Sequence, residues 1–188
     1  DECFKTLTSL NASETPLPWQ RKLFDEFCKN KIRTNLDVPT GLGKTSIIAI
    51  WLLALAHHAY NGTAQRFPRR LIYVVNRRTV VDQATEETKQ MRDALLKEPK
   101  LQDVAKALQS LGAVPSDTPL AISTLRGQFA DNAEWRNDPA KPAIIVGTVD
   151  MIGSRLLFSG YGRGFKSRPL HAGFLGQDAL LIHDEAHL

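Results

Sequence analysis

Two short stretches of this chain hold residue types that can do chemistry together: the turn Gly41-Leu42-Gly43-Lys44-Thr45-Ser46 and the acidic pair Asp184-Glu185. The turn follows "NLDVPT" and leads straight into ten apolar residues, Ile47 to Ala56. Glycines let backbone N–H groups point at phosphate oxygens, and a helix that begins there adds the positive end of its dipole. With Thr40, Gly41, Leu42, Gly43 and Ser46 as the cradle, Lys44 would reach the β and γ phosphates and the Thr45 hydroxyl would bind Mg²⁺. Where the strict phosphate-loop pattern has its first glycine, this chain has Val38. An ordinary glycine turn between a strand and a helix therefore stays open until a second motif is found.

"LLIHDEAH" is that motif. It places Asp184 140 residues beyond Lys44, directly after an apolar run. Asp184 would hold Mg²⁺ through water, and Glu185 would polarise the attacking water. A lone acidic pair at a strand end is usually only solvated. Paired with a phosphate loop, it makes a nucleoside triphosphate hydrolysis site.

The elements that must position these groups follow from periodicity. After an irregular opening through Pro18, "WQRKLFDEFCKN" (Trp19 to Asn30) spaces its apolar residues as an amphipathic helix. A first core strand is expected over Arg33 to Val38, and a helix from about Lys44 to Tyr60. "RLIYVV" (70–75), "LAIST" (120–124), "AIIVGT" (143–148) and "ALLIH" (179–183) read as further strands. Helices are expected over Thr79 to Glu98, Lys100 to Gly112 and Val149 to Phe158. The polar stretch with Asp131, Asn137 and Pro139 reads as a loop, as does the basic, Gly-rich "SGYGRGFKSRPLHAG" (159–173) with Arg163, Lys166 and Arg168. This loop could touch DNA or a neighbouring domain, or be a plain surface connection. Alternating strands and helices predict an α/β fold with a mostly parallel sheet and helices on both faces. Every motif falls where a strand ends, as ligand sites in open α/β sheets do.

Composition narrows the classes. The 188 residues are 43% hydrophobic, enough for one core, and a charge of +4 tolerates a polyanionic partner without demanding one. Cys3 and Cys28 make neither a disulfide framework nor a metal cluster, so a reducing cytoplasmic setting is expected. Ten apolar residues are too few to span a bilayer, so no membrane partner is expected. Opening on Asp1 and stopping just after the acidic motif, the chain reads as a fragment.

"PTGLGKT" with "DEAH" resembles the first RecA-like motor domain of superfamily 2 helicases over essentially the whole chain. The resemblance implies a RecA-like P-loop NTPase fold over 1–188. Residues 1–32 would form an N-terminal segment and 33–188 would carry motifs I to II. The second RecA-like lobe, with its arginine finger, and any HD nuclease would lie outside the fragment. This lobe alone would bind ATP with Mg²⁺ and hydrolyse it very slowly.

"VNRRTVVDQ", "STLRG" and "VGTVDMI" look like the family's motifs Ia, Ib and Ic, which grip the backbone of one nucleic-acid strand. Arg77, Arg78 and Arg126 are phosphate-matched forks, and Thr124 and Thr148 are short hydroxyl donors at strand ends. Thr148 could equally cap the helix after it. Gln20, 24 residues before Lys44, looks like the glutamine that reads adenine, with Phe4 placed to stack on the base. His187 would couple the ATP site to the nucleic-acid loops.

Between the motifs, "WQRKLFDEF", "NRRTVVDQ" and "GTVDMIGSRLLFSGYG" look most like the helicase part of the type I CRISPR-associated helicase-nuclease. That likeness implies an antiviral motor on single-stranded DNA, a guide-RNA surveillance complex as partner and an HD nuclease in the same or a partner chain. His57-His58 and His183-Asp184 read as structural or ATPase parts, not as that nuclease. The alternatives are a repair or restriction translocase of the same superfamily, a non-catalytic ATP-binding switch or scaffold, and a motor on RNA.

Overall fold

The computed structural model describes residues 1–11, 13–39, 41–126, 134–160 and 164–186. Strands β1 (Arg70–Val75), β2 (Ala121–Leu125), β3 (Ala143–Thr148) and β4 (Ala179–His183) are all parallel, in the order β2-β3-β1-β4. β1 is buried at all six positions, Arg70 included, as a strand is when both sheet faces are covered.

The chain crosses from β1 to the far edge at β2, returns to β3, then passes β1 to reach β4. Right-handed crossovers in opposite directions must lie on opposite faces. Accordingly α4 (Arg78–Lys97) and α5 (Gln102–Gln109), which connect β1 to β2, share one core with Leu71, Tyr73, Val75, Ile122, Ile144 and Val146. The Trp135 turn, α6 (Val149–Leu156) and α7 (Arg168–Gly176) share the other with Ile72, Val74 and Ile145. The expected α/β architecture, a parallel sheet between helical layers, is the one observed.

The first core also takes α1 (Glu2–Thr8), α2 (Pro18–Cys28) and α3 (Ile47–Tyr60). α3 is apolar on nearly every side and is buried from Ile47 through Leu52. Its Trp51 donates to the Pro68 carbonyl at 3.0 Å. His58, fully inside, holds Thr63 Oγ1 and the Phe27 carbonyl through its two ring nitrogens and stacks on Phe67. That is a structural histidine, as expected.

Three local expectations are corrected. The strand over 33–38 is not formed. Residues 31–37 are exposed and irregular, with a bend at Thr34, and a cavity of about 610 Å³ lies between this segment and β4. With Arg33, Asn35 and Asp37 among them, these residues do not offer the two apolar faces that a central parallel strand buries. β4 is accordingly an edge, and Leu181 is 47% exposed despite its apolar run. The opening is not irregular, because α1 folds there with Phe4 and Leu7 buried. The 159–173 stretch is not wholly loop either. α7 begins at Arg168 and buries Ala172, Phe174 and Leu175, while residues 161–163, including Arg163, lie outside the described residues.

Candidate functional site

The phosphate loop turns on two left-handed glycines, Gly41 at φ 84° and Gly43 at φ 67°. A side chain at such angles strains the backbone, which is why this turn uses glycine. A short 3₁₀ turn, Lys44–Ser46, then precedes α3, so the helix starts slightly later than the expected Lys44. The first N–H groups of a helix lack intrahelical acceptors; here Lys44 and Thr45 open the turn, while the Ser46 N–H donates to the Gly43 carbonyl at 3.0 Å. Leu42 is partly exposed on the turn, and Thr40 lies outside the described residues.

The sheet brings the second motif to this turn. Parallel pairing of β1 with β4 sets Tyr73 beside Ile182 and Val74 beside His183, and the Asp184 N–H donates to the Val74 carbonyl at 2.9 Å. Lys44 Nζ then forms a short ion pair with Glu185 Oε1. Its hydrogen bond to Glu185, aided by the charges of Glu185, Asp184 and Asp37, holds the Lys44 ammonium above its ordinary pKa. Glu185 itself has φ 54°, an unusual angle for a side-chain-bearing residue and one that concentrates at functional sites.

Sequence reasoning missed Tyr73. Its hydroxyl donates to Asp184 Oδ2 at 2.8 Å. Burial, then the Asp184 carboxylate, push the phenol far above its usual pKa. Thr45 and Asp184 line the same cleft with hard oxygen donors, the type Mg²⁺ takes. Among the described residues no cluster of three or more His, Cys, Asp or Glu forms a metal site, so the remaining ligands of such an ion would come from phosphate and water.

A cleft of about 580 Å³ joins Gly41, Gly43, Lys44, Thr45, Asp184 and Glu185 to Gln20, Leu10, Gln83 and Glu87. A larger cavity of about 730 Å³, between α1, α2, α3 and α5, is walled mainly by apolar side chains such as Phe24, Leu53 and Val104 and contains neither motif. Gln20 is buried. Its amide donates to Ser46 Oγ at 2.8 Å and accepts from the Leu17 N–H at 2.7 Å. Ser46 in turn donates to the Gly43 carbonyl at 2.7 Å, which ties the N-terminal segment to the phosphate loop. Phe4 borders the cleft but is buried in the first core.

The other motifs lie at the carboxyl ends of the strands, the edge that carries Asp184. Arg77 and Arg78 are exposed after β1, and Arg126 follows β2 in an ion pair with Asp82 of α4. Thr124 is spoken for by Thr85 at 3.1 Å. Thr148 ends β3 in the N-cap position of α6 without a side-chain capping bond. His187 and Gly127 lie outside the described residues. Asn76, also missed from sequence, joins the two systems: it donates to the Glu185 carbonyl at 3.2 Å and meets His183 Nε2 at 3.2 Å.

A parallel sheet, a glycine phosphate loop opening a buried helix and an acidic pair at the adjoining strand end define a P-loop NTPase lobe. The chain belongs to the family of the Type III restriction enzyme, res subunit, whose profile matches residues 13–188. It is thus the first ATP-binding lobe of a superfamily 2 ATP-dependent helicase or translocase. Searches of curated proteins and of solved structures returned no match. Among the described residues no helix is long and apolar enough to cross a membrane.

Proposed function

We propose that this lobe uses ATP to move along single-stranded DNA in type I CRISPR interference, working with an HD nuclease and recruited by a guide-RNA surveillance complex. Lys44 and the Gly41 to Ser46 backbone bind the phosphates, and Thr45 and Asp184 hold Mg²⁺. That ion, when bound, neutralises phosphate charge. Glu185 orients the attacking water, and Gln20 selects adenine. Arg77, Arg78, Thr124, Arg126 and Thr148 grip the DNA backbone, while His187 relays the nucleotide state.

The observation that carries the motor reading is the sharing of one sheet edge. The Lys44, Asp184 and Glu185 cluster is bridged by Asn76 to the loop bearing Arg77 and Arg78. The CRISPR assignment is supported by the wording between the motifs. The family match itself favours a second reading, a restriction translocase with the same chemistry and no guide-RNA partner.

The test is ATP hydrolysis by the intact protein with no nucleic acid, single-stranded DNA, duplex DNA or RNA, and Glu185→Gln as control. Stimulation by single-stranded DNA that the variant abolishes supports a DNA motor, and stimulation that requires a guide-RNA complex supports the CRISPR role. Stimulation by duplex DNA alone supports the restriction reading. Tight ATP binding with no stimulation, and unchanged behaviour of Glu185→Gln, supports a switch or scaffold.

A further inference from the structure

The geometry points to Tyr73 as a positioning residue for the metal site of Thr45 and Asp184, one that aims Asp184. The inference rests on the reading of those two residues as the Mg²⁺ ligands.

Tyr73 lies on the central strand with its ring on the face covered by α3. Register puts Ile182 beside it, and side chains alternate along a strand, so Asp184 two residues on shares that face. The phenol therefore runs toward Asp184 and donates to Oδ2 at 2.8 Å. A phenol oxygen gives one proton and accepts another. Its proton occupies one Asp184 oxygen and leaves Oδ1 to face a cation.

Tyr73 is only 1% exposed. A phenylalanine would fill the same space and satisfy the core equally well. What the hydroxyl adds is orientation of Asp184, 111 positions further along the chain. Partners that orient metal ligands in this way typically change metal affinity about 10- to 100-fold when removed.

The experiment measures binding of a fluorescent non-hydrolysable ATP analogue to the intact protein, in excess EDTA and across a Mg²⁺ titration. Wild type, Tyr73→Phe and Asp184→Asn are compared. The expected result is that Tyr73→Phe keeps its affinity in EDTA and needs about tenfold more Mg²⁺ for the half-maximal gain, while Asp184→Asn loses the gain. If Tyr73→Phe matches wild type in its Mg²⁺ titration while Asp184→Asn loses the gain, the positioning role is overturned and the metal reading stands. If Tyr73→Phe loses affinity equally in EDTA, its role is general support of the core, which also overturns the inference. If Asp184→Asn keeps the full Mg²⁺ gain, the metal reading falls and the inference with it.

Discussion

At Gly43 the constraint is angular, not spatial. A Cβ there would meet only the Gln20 amide at 3.6 Å, an ordinary contact, but φ is +67°. Gly43→Ala is therefore expected to lower unfolding free energy by about 1–2 kcal/mol, the cost of a left-handed angle for an L-residue. Urea denaturation with unchanged slope would show it. At Glu185 the expectation is kinetic. Glu185→Gln keeps the hydrogen-bonding shape of the side chain but loses the charge that draws a proton from water. Nucleotide affinity should hold while kcat falls by about 10²- to 10⁴-fold, the usual worth of a general base. Equilibrium binding and steady-state hydrolysis on the same preparation separate the two.

At the level of elements, the loops after β1, β2 and β3 divide into anchored and available groups. Thr124 is committed to Thr85, and Arg126 to Asp82, whereas Arg77 and Arg78 extend from the start of α4 into solvent. The Arg126 to Asp82 pair is about half exposed on both sides, a setting in which ion pairs contribute only about 0–1 kcal/mol. Arg77→Ala and Arg126→Ala should thus leave the melting temperature nearly unchanged. Each should weaken single-stranded DNA binding across sequences and lower the slope of log affinity against log salt by about 1. Fluorescence anisotropy over a salt series measures that slope. A changed melting temperature with an unchanged slope would assign these arginines to the fold.

For the molecule as a whole, the expectation concerns the charge that faces the phosphates in the cleft. Lys44 is the cationic side chain lining it, and no arginine does so among the described residues. Arginine fingers contribute on the order of 10³ to 10⁵ in rate in P-loop enzymes. Residues 1–188 alone should bind ATP yet hydrolyse it slowly, with little response to DNA. Single-turnover hydrolysis at saturating nucleotide checks this, and rapid DNA-stimulated turnover would show that the described cleft already holds what it needs.

The bounds of β1 and β3 were legible in the chain itself, because apolar runs of strand length have few other places to go than a sheet covered on both faces; those of β4 were legible from the same kind of run, although it forms an edge with Leu181 half exposed. The phosphate loop and the acidic pair were legible too, since their chemistry demands particular residue types at short spacing. Segment 33–38 misled, because an extended run becomes a strand only if another strand pairs with it. α1 was missed because a two-turn helix has little periodicity of its own and is held by Phe4 and Leu7 in a distant core. Tertiary structure alone decided which groups meet: Lys44 with Glu185 across 141 positions, and Tyr73 with Asp184 across 111. Periodicity is a local property of the chain, whereas such meetings depend on strand order and register, and those are set only when the sheet assembles.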